Sequence, residues 1–170
     1  MPSAEPPALT QSITIRPALP ADAPVVFGLV RALARYEKLE HKVEATEADI
    51  AAALFGPAPR VFCDLAEVDG AVAGFALWYY SFSTFVGRHG IYLEDLYVEP
   101  AFRGRGLGKA LIVHLARRCV AERLGRFEWS VLDWNEPAIH FYRAHGARLL
   151  DDWTICRVEG DALRALGSHA

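Results

Sequence analysis

Arg103-Gly104-Arg105-Gly106-Leu107-Gly108-Lys109 puts three glycines and three basic residues into seven positions, between a strand-like segment and a helix-like one. Glycine lets backbone N–H groups approach an anion closely. The free N–H groups of a helix start add a positive dipole end to the charges of Arg103, Arg105 and Lys109. The chemistry this suits is phosphate binding; the plainer alternative is a turn and helix cap with solvated basic side chains. Two familiar phosphate loops are excluded by spacing. G-x-G-x-G is not the dinucleotide G-x-G-x-x-G, and a P-loop needs Gly where Arg103 stands and Ser or Thr where Ala110 stands.

Just upstream, Glu94 and Asp95 are adjacent acids in the otherwise apolar run Ile91 to Val98. Strict alternation puts Ile91, Leu93, Asp95 and Tyr97 on one face and Tyr92, Glu94, Leu96 and Val98 on the other. Each face then holds a carboxylate that needs a partner or a chemical role, and the expectation is that one pairs with an arginine while the other does chemistry. Tyr142 follows Phe141 on a helical segment, where an ordinary core tyrosine is the plain reading. His41, His89, His114, His140 and His145 show no metal-ligand spacing, so no metal site is expected, and His114 falls on an exposed helix side. Cys119 reads as a small core residue.

The elements that must position these groups follow from periodicity and punctuation. Ile13-Thr14-Ile15 opens a short strand that Arg16-Pro17 ends. Asp22 can cap a helix with Val26, Leu29, Val30 and Leu33 on one side. Thr46 and Asp49 form a capping-box pattern for a second, brief helix ending near Phe55-Gly56. Val61 to Val68 and Ala71 to Tyr80 alternate around Asp69-Gly70, a hairpin signal. A loop from Ser81 to Gly90 leads to the acidic strand, then come the glycine loop and a helix closed by Gly125. Phe127, Trp129 and Val131 alternate with Glu128 and Ser130 as a strand. Pro137 starts a helix that Gly146 ends. Trp153 to Glu159 reads as a last strand and Asp161 as the cap of a terminal helical turn. The order β-α-α-β-β-β-α-β-α-β predicts an antiparallel meander joined to a βαβ unit: an α/β (α+β) domain with a mixed sheet flanked by helices.

The chain of 170 residues suits one domain, expected over residues 13–170 after a loose tail at residues 1–12. A composition 52% hydrophobic and 23% charged is that of a globular protein. The net charge of −3 excludes a positive field that would draw the whole molecule to nucleic acid or acidic lipid. Cys63, Cys119 and Cys156 are too scattered for a disulfide framework. No apolar stretch approaches the ~20 residues of a membrane helix. The expectation is therefore a soluble cytoplasmic protein.

Arg103-x-x-Gly106-x-Gly108 resembles the R/Q-x-x-G-x-G/A signature of the GNAT acyltransferases, and the likeness runs from Ile13 to about Leu166. Ile15-Arg16-Pro17-Ala18, Ala34-Arg35-Tyr36-Glu37, Tyr92-Leu93-Glu94-Asp95, Val131-Leu132-Asp133-Trp134-Asn135 and Phe141-Tyr142 resemble the diamine and thialysine N-acetyltransferase branch more narrowly. The resemblance implies a homodimeric acetyl-CoA-dependent enzyme in which a small primary amine attacks the thioester directly. It implies that backbone amides of Leu96, Tyr97 and Val98 meet the cofactor and its thioester carbonyl. It gives Arg103, Gly104, Arg105, Gly106, Leu107, Gly108 and Lys109 to the pyrophosphate, with Asn135, Pro137, Ala138 and Tyr142 as further cofactor contacts. Tyr142 becomes the general acid, Glu94 the candidate base, and Tyr36, Glu37, Glu94 and Glu128 the acceptor side.

Simple energetics bear on two of these roles. A phenol of pKa near 10 protonating a thiolate of pKa near 8.5 is uphill by only about 2 kcal/mol. A glutamate facing an ammonium is about 6 units short, roughly 8 kcal/mol, so Glu94 suits binding the ammonium and passing its proton through water. The acidic residue that polyamine-acetylating relatives carry after the Tyr-Tyr pair is missing from Ser81 to Phe85, which points to a lysine-like acceptor, although Asp151-Asp152 could offer a distal cation site. Other readings of the same fold are a protein lysine or N-terminal acetyltransferase and a non-catalytic acyl-CoA sensor.

Overall fold

The computed structural model describes residues 12–168. Contacts divide the chain into two units, one through Ser130 and one from Val131. The expected tail lies outside the described residues except for Ser12, whose N–H donates to Asp69 Oδ1 at 3.1 Å.

In the first unit β1 (Ile13–Pro17), β2 (Phe62–Val68), β3 (Ala71–Ser83) and β4 (Arg88–Val98) form an antiparallel meander, and β5 (Phe127–Trp129) joins β4 in parallel. The β2–β3 turn holds Asp69 at φ 50° and Gly70 at φ 83°, the left-handed pair the sequence signal requires. The loop expected from Ser81 to Gly90 is shorter. Ser81, Phe82 and Ser83 continue the ladder opposite Gly90, His89 and Arg88, because backbone pairing does not depend on apolar alternation.

α1 (Ala23–Tyr36) and α2 (Glu47–Phe55) cover one face of the sheet, where Val26, Leu29, Leu33 and Leu54 bury against Cys63, Leu65, Phe75, Leu77 and Tyr97. The capping box of α2 forms as its sequence predicts: Asp49 N–H donates to Thr46 Oγ1 at 3.3 Å and Thr46 N–H to Asp49 Oδ2 at 2.8 Å. Asp22 precedes α1 without a side-chain cap, since its carboxylate instead accepts the Leu19 N–H at 2.7 Å and an Arg16 N–H at 2.6 Å.

α3 (Leu107–Ala121) covers the other face with Leu111, Ile112, Leu115 and Cys119 buried. There the buried carboxylate of Asp64 accepts the Trp78 indole N–H at 2.7 Å, and His114 Nε2 lies 3.4 Å from its other oxygen. His114, expected on the exposed side of the helix, thus faces the sheet: three residues after Leu111, it widens the inward stripe toward a buried negative charge.

The second unit carries α4 (Glu136–Ala144), capped by Asn135 Oδ1 accepting the Ala138 N–H at 3.4 Å, and α5 (Gly160–Gly167). Asp161 does not cap α5; it lies in the first turn and pairs with Arg164. The strand expected over Trp153 to Glu159 is absent. Its apolar row stays exposed, with Trp153 at 77% and Ile155 at 72%, and no strand among the described residues supplies the ladder that alternation alone cannot create. Among the described residues no helix is long and apolar enough to cross a membrane.

Candidate functional site

β4 does not alternate as its sequence predicts. Opposite β3, Leu77 faces Asp95 and Trp78 faces Leu93, so Glu94 is an extra residue in a bulge. The bulge shifts the phase. Leu93 stays with Trp78 on the α3 face, whereas Asp95 joins Tyr97 and Leu77 on the α1 face, which also carries Tyr92 and Tyr79. The expected split of one carboxylate per face is therefore corrected.

Burial, together with the nearby charges of Glu94 and Glu37, pushes the Asp95 carboxyl up to about 7. Burial also raises Glu37, at the C-terminal end of α1, and burial followed by the Glu94 charge raises the Tyr79 phenol. Three carboxylates thus converge beside two stacked tyrosines, Tyr79 and Tyr92, whose centroids are 5.2 Å apart. The arginine partner expected for one of the acids is missing: among the described residues no basic side chain forms an ion pair with Glu94 or Asp95. Such a cluster can receive a cation and hold a proton near neutral pH.

The next stretch of β4 presents backbone donors. β5 pairs with β4 only from Ile91 to Leu93. The Glu99 N–H bonds the Ala73 carbonyl at 2.8 Å, so by antiparallel alternation Tyr97 exchanges bonds with Phe75, and Leu96 and Val98 turn their N–H groups away from β3. Of the three amides singled out in the sequence, two point to the side that β5 has left; Tyr97 belongs to the ladder and buries its ring.

The glycine loop follows. Gly104 and Gly106 adopt φ 77° and 84°, and an added Cβ at either would meet nothing within 4 Å. The first helical bond runs from Ala110 N–H to the Gly106 carbonyl, leaving the amides of Leu107, Gly108 and Lys109 without partners inside α3. Open space over left-handed glycines and unspent amides fits a pyrophosphate. The Arg103 side chain, however, folds back onto the end of β4 and Tyr36. Its Nε–H donates to the Val98 carbonyl at 2.9 Å, and its guanidinium lies 4.9 Å from the ring centroid of Tyr36 and 5.4 Å from that of Tyr97. Arg105 stacks over Phe102 at 5.4 Å.

Glu128 stands on β5 opposite Tyr92, with its Oε2 2.7 Å from Arg126 Nε, and the Tyr92 hydroxyl meets Ser130 Oγ at 2.7 Å. In the second unit Asn135, Pro137, Ala138 and Tyr142 lie at the start of, and along, α4, where the Tyr142 ring contacts Phe141 at 5.4 Å. Sequence reasoning gave the chemistry to Glu94 and left Asp95 the arginine-paired role, and it passed over Arg126. The adjacent acids were a visible signal for the first; R-x-E at the start of a strand, two residues apart and of opposite charge, was available for the second.

Residues 27–147 match the acetyltransferase (GNAT) family. The chain is 38% identical over 165 residues to the thialysine N-epsilon-acetyltransferase of Bos taurus, covering 91% of this chain and 96% of the relative. It is 31% identical over 197 residues to the L-ornithine N5-acetyltransferase of Arabidopsis thaliana, covering 89% and 86%. Among solved structures, an integron cassette protein from the mobile metagenome of V. cholerae superposes with a TM-score of 0.78 at 28% identity, over 93% of this chain and 99% of that one.

Proposed function

This chain belongs to the GNAT acetyltransferase family and is an N-acetyltransferase of small amines, from which we propose that its acceptor is the side-chain amine of a lysine- or ornithine-like amino acid. The observation that carries this reading is the cluster of Glu37, Glu94 and Asp95 at the β4 bulge, next to the outward amides of Leu96 and Val98.

Acetyl-CoA would supply an activated acyl group as its thioester. The chain's residues divide the remaining work. Gly104, Gly106 and the first-turn amides of α3 hold the pyrophosphate, with Arg105 and Lys109 adding charge. The Leu96 and Val98 amides offer donors where negative charge develops on the carbonyl oxygen. Glu37 and Glu94 bind the acceptor ammonium. With Asp95 pushed up to about 7, its deficit against an ammonium of 10.4 is roughly 3 units, about 5 kcal/mol, against about 8 kcal/mol for an ordinary glutamate. Asp95 is therefore a better acceptor for the amine's proton than an ordinary carboxylate. Tyr142 holds the phenolic proton that the leaving thiolate needs.

The proposal extends to a homodimer, supported by the exposed apolar side chains of Trp153, Ile155 and Val158, and to a cytoplasmic setting, supported by three free cysteines. A screen for CoA release tests the function, with thialysine, lysine, ornithine, diamines, polyamines and lysine peptides as acceptors. Release with free amino acids is expected, and release with peptides alone overturns the small-amine reading. Tyr142→Phe is expected to lower kcat at neutral pH by about 100-fold; full activity refutes the acid assignment.

A further inference from the structure

We propose that Arg126 and Glu128 form a subsite for the α-carboxylate and α-ammonium of an amino-acid acceptor, with Arg126 the residue that favours an amino acid over a diamine. The inference rests on the reading above, in which the reacting amine lies at Glu94. Glu128 pairs with Tyr92 in the parallel register, so it shares the face of Tyr92 and Tyr79; Arg126 lies one residue before β5, its carbonyl accepting the Ile91 N–H at 3.1 Å and its stem lying over Gly90, two residues before Tyr92 on β4.

Gly90 sets the position of the arginine. A Cβ there would lie 2.7 Å from Arg126 Cγ, so the arginine stem occupies the space a side chain at position 90 would take. The head is thereby laid beside Glu128. Arg126 Nε is 2.7 Å from Glu128 Oε2 but does not aim its hydrogen at an acceptor, and Nη2 reaches the Phe82 carbonyl only at 3.4 Å. Among the described residues no acceptor takes the Nη1 hydrogens. Both side chains are about one-third exposed, at 37% and 33%. The pair is therefore open to solvent with donor and acceptor capacity unspent, unlike Arg16, whose guanidinium is bonded to both Asp22 and Glu67.

Scale and charge agree with this placement. Glu94, in the bulge between the Leu93 and Asp95 pairs, lies one to two strand steps, roughly 5 Å, from the Tyr92–Glu128 row, and Arg126 lies two residues before Glu128. An extended side chain of a lysine-like amino acid spans roughly 6 Å from its amine to Cα. Its α-ammonium then falls at Glu128 and its α-carboxylate at the guanidinium fork, which suits bidentate carboxylate binding. A diamine or polyamine offers no anion there, and one with a distal ammonium in that place meets a cation.

The test measures thialysine and its decarboxylated diamine as acceptors for the wild-type protein, Arg126→Gln and Arg126→Lys, with acetyl-CoA saturating. In Arg126→Gln the thialysine-to-diamine ratio of kcat/KM is expected to fall at least about ten-fold, through a higher KM for thialysine, while the diamine, relieved of the facing cation, loses nothing in kcat/KM. Arg126→Lys, which keeps the charge without the fork, should recover part of the ratio. Thialysine methyl ester should cost the wild-type protein a similar factor, a measurement that needs no variant to fold. Equal losses for both acceptors, an unchanged ratio, or an ester as good as the acid overturns the subsite and leaves the acetyltransferase reading in place. Absence of turnover with every amine in the wild-type protein overturns that reading, and the subsite with it.

Discussion

Replacing Asp95 with asparagine removes a carboxyl that the fold holds protonated near neutral pH, and its effect on stability has a definite sign. The folded-state pKa is raised from 3.8 to about 7, so between those values the native state binds more protons than the unfolded chain. Stability from this group is full below the unfolded pKa and is lost as pH rises through the folded one. Between pH 5 and pH 8 roughly 2 units of the shift are traversed, a loss of about 3 kcal/mol at most, which partial solvent contact lowers to about 1–2 kcal/mol. For a chain of this size that corresponds to about 3–6 °C in Tm. Thermal unfolding of wild type and Asp95→Asn at both pH values reads the effect directly. The variant is expected to gain stability relative to wild type as pH rises from 5 to 8. Because burial also raises Glu37, part of the wild-type pH dependence remains in the variant. A gap between the two proteins that stays constant with pH refutes the claim that burial at the bulge holds the Asp95 proton.

Gly106→Ala forces an L side chain to φ 84° without a clash, so stability should fall by about 1–2 kcal/mol, the cost of the left-handed conformation. Acetyl-CoA affinity, measured by calorimetry, should fall by at least about ten-fold if the loop amides carry the pyrophosphate; unchanged affinity refutes that role. Trp78→Phe leaves Asp64 Oδ2 without its 2.7 Å donor in the core, and chemical denaturation should show a loss of about 2–4 kcal/mol. A loss below about 1 kcal/mol means that the indole N–H does not hold the buried charge.

The parts of the fold that sequence predicted well were those governed by local chemistry. Asp69-Gly70 needed two left-handed residues, Thr46 and Asp49 needed only each other, and the glycine loop announced a helix start by its own composition. What escaped depended on partners distant in sequence. Alternation in β4 presumed a regular ladder, and only the count of residues on β3 reveals that Glu94 is surplus. His114 turned inward because Asp64, on another strand, is buried beneath it. Trp153 to Glu159 has a strand's pattern without a strand, because alternation describes a face and not the neighbour that must bond to it. At the candidate site, the residue types of Glu94, Glu37 and Arg103 were legible, but the stacking of Arg103 onto Tyr36 was not, since a cation beside glycines ordinarily suggests an anion.

The bulge separates substitution from deletion at position 94. Changing Glu94 to another side chain keeps the surplus residue and alters only its charge. Removing the residue instead brings Leu93 opposite Trp78 and Asp95 opposite Leu77 as consecutive pairs, an uninterrupted ladder with every other side chain on its present face. The hairpin is thus complete without Glu94, and the acid enters as one added unit of chain length. At this position the sheet and the chemistry have separable claims on the sequence.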